Sequence, residues 1–127
     1  MNRVFFVTGS IMAGLAVAAS AYGAHAGATL NPQQVIWIEK AARFQIYHSV
    51  ALICVSFAIY HWPETRLLHI TGWLFLVGII CFSGSLYLMA FSGINPGYMI
   101  PAGGLAFILG WGLMAFAGVF LNPTDKS

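Results

Sequence analysis

Apolar runs of membrane length dominate the pattern of hydrophobic and polar positions along the chain. The charged side chains leave three long uncharged intervals, Val4–Ile38, Phe44–Pro63 and Leu67–Thr124. The first two each have room for one helix of about 20 apolar residues, and the third has room for two. The segment SGINPGYMIP, Ser92–Pro101, divides the third interval, because its prolines and glycines favour a turn. The pattern therefore predicts four transmembrane helices.

The predicted fold class is an all-α membrane protein. It comprises four transmembrane helices in a compact bundle, with an interfacial amphipathic helix between the first and second spans. Prolines fall only at the predicted breaks or helix ends, where the missing backbone N–H donor does least harm. The bounds are a single integral membrane domain of residues 1–127, with spans at about 4–24, 42–61, 68–91 and 99–121.

The connection before the second span carries its own helical pattern, at about residues 32–43. Asn31 is a suitable N-cap and Pro32 suits the first helical position. Apolar residues fall on one face and polar residues on the other, with Trp37 as an expected interfacial anchor. Two alternatives are that this helix runs on into the second span with a bend, or that the segment is a surface loop.

The composition indicates whether water or lipid surrounds the chain. Hydrophobic residues make up 60% of the chain and charged residues 6%, and the mean hydropathy is +0.85. Ordinary soluble domains are about 25% charged, and a short chain cannot bury so much apolar surface on its own. The lipid bilayer is therefore the expected surroundings. A scattered net charge of +2 argues against a nucleic-acid partner.

The first 26 residues also have the features of a secretory signal peptide, with Ala24-His25-Ala26 in the place of a cleavage site. We expect the segment to be retained as the first span.

With an even number of spans, both termini lie on one side of the membrane. That side would hold Arg3, Arg66 and Lys126, against Lys40 and Arg43 on the other. This slightly favours cytoplasmic termini, in the bacterial cytoplasmic (inner) membrane.

Stripes of small residues predict which face of each span contacts other helices. Helices in lipid associate through close packing of small side chains, because lipid tails are as apolar as leucine. Cys54 and Cys81 lie mid-span and are expected to pack as small apolar residues rather than form a disulfide. The helix-packing stripes are Ser10, Gly14 and Ala18 in the first span, Gly78, Cys81 and Ser85 in the third, and Ala102, Ala106 and Gly110 in the fourth.

Helical phase also brings several polar side chains toward one end of the bundle. His25 continues the small-residue face of the first span, and Gln45 shares a face with His48 on the second. The end of the first span and the start of the second lie on the same side of the membrane as the end of the third span, which carries Ser85 and Tyr87. We therefore predict a polar pocket of His25, Gln45, His48, Ser85 and Tyr87.

The favoured interpretation of His25 and His48 is structural, as hydrogen-bonding ties between helix ends. The alternatives are a haem-binding pair, a soft copper site completed by Met99, and a substrate-binding pocket. No metal site and no cofactor is predicted. Catalysis lacks sequence support as well, because no carboxylate lies inside a span and the chain has no nucleophilic triad, zinc-protease motif or phosphate loop. We expect no enzyme activity and no catalytic residue.

Several short motifs resemble the small membrane family called domain of unknown function 423, or transmembrane protein 256-like. The resemblance covers nearly the whole chain and implies a four-helix membrane protein without an established activity. Two motifs depart from the family pattern, GAHA for GAHG and PAGG for PIGG. The matching segments are YGAHA at Tyr22–Ala26, FQIYH at Phe44–His48, FSGSLY at Phe82–Tyr87, PAGGLAF at Pro101–Phe107 and GW at Gly110–Trp111.

Three functional hypotheses follow. The leading one is a non-catalytic accessory or stabilising subunit that packs against a larger membrane complex. The second is an oligomeric transporter or channel for small solutes or ions. The third is a haem-, copper- or quinone-binding redox module that uses His25 and His48. Surplus aromatic residues are expected to face lipid or a membrane-protein partner: Trp73, Phe75, Phe107, Trp111 and Phe120.

Overall fold

Four helical spans build the chain in a computed structural model that describes residues 2–26 and 28–121. The helices are α1 at Arg3–His25, α2 at Pro32–His61, α3 at Arg66–Gly78, a π-helical turn at Ile79–Ser83, α4 at Gly84–Ser92 and α5 at Met99–Phe120. The third span is continuous from Arg66 to Ser92, through the π-helical turn. Each of the four spans is long and apolar enough to cross a bilayer, which confirms the four-span prediction.

Helix α2 includes the segment predicted as an amphipathic helix, so that segment is helical but not separate from the second span. The side chain of Asn31 accepts from the Gln34 N–H at 2.8 Å, and the side chain of Gln34 accepts from the Asn31 N–H at 2.9 Å. After Pro32 no proline or glycine occurs before Pro63, so no residue type that breaks helices interrupts the backbone hydrogen bonds. The surface-loop alternative is wrong.

The centre of the bundle is formed by α2 and the third span. Helix α1 packs along α2, and α5 packs along α3 and the π-helical turn. The outer faces of α1 and α5 carry apolar side chains such as Val17 and Ile108, which are 63% and 69% exposed. Apolar side chains on the outside are expected when the solvent is lipid. The buried core cluster is Phe5, Ala51, Leu52, Val55, Ile59, Leu68, Phe75, Ile79, Phe107 and Ala117.

The rotation of α1 differs from the prediction. Gly14 and Ala18 are exposed, and a Cβ placed on Gly14 would meet nothing within 4 Å, so their predicted role in packing inside the bundle is wrong. The ring of Phe5 fills the space left by the missing side chain of Gly72 on α3, and this contact fixes which face of α1 turns inward. The buried residues of α1 are Phe5, Gly9, Ala16 and Gly23.

Glycines bring α5 against the third span. A Cβ on Gly103 would lie 2.5 Å from the backbone nitrogen of Phe82, so the two backbones are in contact there. The absent side chain of Gly78 leaves space that the ring of Phe107 occupies. Of the residues predicted to pack, Gly78, Ala106 and Gly110 are buried, whereas Cys81 is half-buried and Ala102 is exposed.

Candidate functional site

Gln45 joins three helices through its side-chain amide. Its Nε2 donates to the backbone carbonyl of Met12 on α1 at 2.8 Å, and its Oε1 accepts from the Tyr87 hydroxyl on α4 at 2.8 Å. The residue is 4% exposed. A buried amide costs free energy unless it is hydrogen-bonded, and these two bonds use its acceptor and one of its donors. The predicted proximity of Gln45 and Tyr87 is confirmed.

Two buried serines, Ser83 and Ser56, also connect the helices, whereas Ser49 donates to the carbonyl of Gln45 within α2. Ser83, the last residue of the π-helical turn, donates to the carbonyl of Ala41 on α2 at 2.8 Å. Ser56 donates to the carbonyl of Asn2, at the start of α1, at 2.8 Å. Ser85, which belongs to the predicted pocket, is 3% exposed, and its hydroxyl has no hydrogen-bond partner in the described part of the chain. Ser85 therefore does not join the bonded network.

His48 uses both ring nitrogens inside the bundle. Its Nδ1 lies 2.7 Å from the carbonyl oxygen of Phe44, and its Nε2 lies 3.0 Å from the indole nitrogen of Trp111 on α5. A carbonyl only accepts and an indole N–H only donates. The proton therefore sits on Nδ1, and the lone pair of Nε2 accepts from Trp111. The ring is a neutral tie between α2 and α5.

The imidazole of His48 is also packed among aromatic rings. It stacks on Phe107 with ring centroids 3.5 Å apart and an interplanar angle of 11°, and meets Phe75 edge-on at 5.5 Å. Phe75 and Phe107 are 0% and 5% exposed, so the expectation that they face lipid or a partner is wrong. Sequence reasoning missed Trp111 and Phe107 as contacts of His48. The GW and PAGGLAF motifs contain both residues, but no sequence feature links them to His48.

His25 does not lie in the predicted pocket. The residue is exposed at the end of α1, and its Nδ1 lies 2.8 Å from the carbonyl oxygen of Ala21 in the same helix. The prediction that it turns inward is wrong, because the contact of Phe5 with Gly72 rotates this face of α1 outward. The pocket thus reduces to two separate ties, Gln45 with Tyr87 and His48 with Trp111.

The arrangement does not assemble the hypothetical haem or copper ligands. His48 is buried, with its ring-nitrogen lone pair directed at Trp111, whereas His25 is exposed. A histidine ligand binds metal through such a lone pair. Met99, the third member of the hypothetical copper site, is 46% exposed at the start of α5. Among residues 2–26 and 28–121, no three His, Cys, Asp or Glu side chains group together.

In the described part of the chain, open grooves lie on two sides of α1. The α1–α4 groove, of about 430 Å³, is lined by Gln45 and Tyr87 among apolar side chains. The α1–α2 groove, of about 640 Å³, is lined on α1 mainly by small residues and on α2 by Glu39, Arg43 and Tyr47 among others. Only the second groove combines apolar walls with charged side chains of both signs.

Comparison with known proteins finds a family that matches most of this chain. Residues 19–104 match the family described as "Protein of unknown function (DUF423)". A UPF0382 membrane protein of Staphylococcus saprophyticus is 37% identical over 93% of this chain and 98% of its own length. The UPF0382 membrane protein YwdK of Bacillus subtilis is 34% identical, over 92% of this chain and 97% of its own.

A relative in Escherichia coli matches over nearly the full length of both chains. The UPF0382 inner membrane protein YgdD of Escherichia coli is 27% identical over 99% of this chain and 97% of its own length. No solved structure matches the chain.

Proposed function

This chain belongs to the DUF423 family of membrane proteins, and we propose that it is a non-catalytic accessory subunit that packs against a larger membrane complex. Four apolar spans and its named relatives make it an integral membrane protein in contact with the lipid bilayer. The proposed partner is another membrane protein.

The polar side chains inside the bundle support a structural role. Gln45, His48 and Ser83 each hydrogen-bond to a group on another helix. Interhelical hydrogen bonds of this kind contribute about 0.6 kcal/mol each, and up to about 1.7 kcal/mol. These hydrogen bonds hold the helices in place. The same donors and acceptors are therefore not available to bind a substrate or a cofactor.

The outward small-residue stripe of α1 carries the proposal. Ser10, Gly14 and Ala18 occur at a spacing of four and are exposed, on the opposite side of α1 from Phe5 and Gly9. Small residues let a neighbouring helix approach closely in a membrane. The Ser10 hydroxyl already donates to the carbonyl of Phe6 at 2.8 Å, so the stripe offers packing without an unbonded polar group. The stripe suits a partner helix better than it suits lipid.

The proposed location is the bacterial cytoplasmic membrane with both termini in the cytoplasm. The Escherichia coli relative is named an inner membrane protein. Arg3 and Arg66 begin α1 and α3, which run in the same direction, so these two cations lie at the same end of the bundle. Lys126, the third cation in the prediction, lies outside the described residues. Counted from the sequence, the end with the termini has three basic residues, including Lys126, and the other end has two, Lys40 and Arg43. The end with more basic residues is favoured on the cytoplasmic side.

The redox and transport hypotheses remain second to this proposal. A redox module would need the His48 lone pair that Trp111 now occupies. A transporter would need a polar path through the bundle, whereas Gln45, the buried amide, is bonded to α1 and α4.

Filling the outward stripe tests the proposal. We expect Gly14→Leu to release the chain from its complex, because the new side chain would hold the partner helix away, while its Cβ would meet nothing within 4 Å in its own bundle. Gly112→Leu on α5 is the matched control, since Gly112 is equally open. Native gels of membranes extracted in mild detergent measure the result. Wild type and Gly112→Leu should migrate as a large complex, and Gly14→Leu as a small species. A small species for the wild type would refute the proposal.

A further inference from the structure

The α1–α2 groove has the construction of an amphiphile-binding site. One wall is formed by small side chains of α1, among them Ser20, Ala21 and Ala24. The other wall is formed by α2, where Glu39, Arg43 and Tyr47 recur once per turn. The groove has a volume of about 640 Å³ and is open at the surface. Apolar and charged lining thus coexist on a surface that otherwise faces lipid.

The two charges in this groove are available to a ligand. Glu39 and Arg43 are both exposed, and a spacing of four on a helix would allow them to pair. In the described part of the chain, however, neither makes an ion pair or a side-chain hydrogen bond. The groove therefore offers one free carboxylate and one free guanidinium. Their backbone positions are about 6 Å apart along the helix axis, the rise of four residues.

The position of α2 in the membrane determines which of these two charges lies deeper. Helix α2 has 30 residues, or about 45 Å, whereas the hydrocarbon layer is about 30 Å thick. The stretch Phe44–Tyr60 has no charged residue and must occupy the hydrocarbon, so the excess length lies at the start of α2. Arg43 is then at the edge of the hydrocarbon, and Glu39 is one turn closer to water.

We propose that the α1–α2 groove binds one glycerophospholipid with an ethanolamine-type headgroup. In such a lipid the phosphate is next to the glycerol and the ammonium group is farther out, which matches the order of Arg43 and Glu39. A guanidinium binds phosphate oxygens in a bidentate manner. Tyr47, one turn deeper and 56% exposed, lies at the level of the ester groups. An acyl chain then runs along the small residues of α1.

Charge complementarity selects this lipid over the other occupants. An anionic lipid with a glycerol headgroup would satisfy Arg43 but would leave Glu39 beside a net negative headgroup, which is repulsive. An apolar helix in the groove would cover Glu39 and Arg43 without supplying counter-charges, at a cost in desolvation. The zwitterionic headgroup supplies both counter-charges at the required depths.

Lipid retention measures the proposed binding. The full chain is reconstituted in nanodiscs of phosphatidylethanolamine and phosphatidylglycerol in equal amounts, then released and examined by native mass spectrometry. We expect about one retained lipid per chain, with phosphatidylethanolamine favoured at least fivefold. Arg43→Gln should lower total lipid retention at least fivefold. Glu39→Gln should keep the retained lipid but abolish the preference. Lys40→Gln, an exposed charge on the same helix outside the groove lining, should match the wild type.

A neutral variant separates headgroup binding from other effects of charge. Ala21→Leu fills the apolar wall without altering a charge, and it should also lower retention. Thermal unfolding of each variant in detergent checks that the fold persists. Retention of no lipid, a preference for phosphatidylglycerol, retention unchanged by Arg43→Gln, or recovery of a polypeptide in place of lipid would each overturn the proposal. This test does not depend on the accessory-subunit proposal, which concerns the outward small-residue stripe.

Discussion

Gly103→Ala is expected to destabilise the protein by about 1–3 kcal/mol, the usual cost of overpacking a well-packed contact. The added Cβ would lie 2.5 Å from the backbone nitrogen of Phe82 and 2.9 Å from its Cα. Backbone atoms cannot rotate away as a side chain can, so α5 must move off the third span. The stacking of Phe107 on His48 would loosen with it. Unfolding of the purified protein in mixed micelles with increasing dodecyl sulfate measures the change in free energy.

The adjacent residue provides the control for this substitution. Gly104→Ala lies on the same turn of α5, but its Cβ would meet nothing within 4 Å. We expect no loss of stability there, and a gain of up to about 1 kcal/mol from the higher helix propensity of alanine. Equal destabilisation by the two substitutions would mean that α5 does not approach the third span as closely as the structure shows.

Gln45→Leu is expected to lower the free energy of unfolding by about 1–3 kcal/mol, through the loss of two interhelical hydrogen bonds. Leucine fills a similar volume but cannot bond to the Met12 carbonyl on α1 or to the Tyr87 hydroxyl on α4. Tyr87→Phe removes only the second bond, so about half of the loss is expected. The same detergent unfolding experiment measures both variants.

A double-mutant cycle shows whether the two residues act as one tie. Tyr87→Phe should have little further effect in the Gln45→Leu background, because its partner is already absent. Tyr98→Phe is the control, since Tyr98 is 91% exposed before α5 and should not respond. Additive effects in the cycle, or a Gln45→Leu variant as stable as the wild type, would contradict the assignment of Gln45 as a structural tie.

The four spans could be predicted from the sequence because charge and proline mark their ends directly. The positions of Glu39, Arg43 and Glu64 bound the uncharged runs, and transfer of charge into hydrocarbon is costly enough to make those bounds firm. The sequence alone leaves the continuity of α2 open. Pro32 is at the helix start and Pro63 follows its end, so no residue between them marks a bend or its absence.

The rotation of α1 could not be predicted, because the helix carries two competing small-residue faces. One contains Gly9 and Ala16, and the other contains Gly14 and Ala18. Local spacing does not distinguish them. The choice depends on the fit of Phe5 over Gly72 in the third span, which is a contact between remote parts of the chain.

The same limit explains which parts of the site were missed. Gln45 and His48 were identified because polar side chains within a span are costly and need partners. Their partners could be named only where helix ends share a side of the membrane, as with Tyr87. The bond of His48 to Trp111 requires the rotation of α5 relative to α2, and no periodicity within either helix contains that information.

Photo-crosslinking in intact membranes tests the central claim, that the outer face of α1 docks a different membrane protein. A photoreactive amino acid is placed at Ala18 on the outward small-residue stripe, or at Ile108 on the exposed face of α5. We predict one crosslinked protein product of defined mass from position 18, absent when Gly14→Leu is also present, and only lipid adducts from position 108. No product from position 18, or a product at twice the 13.7 kDa mass of this chain, would contradict the account.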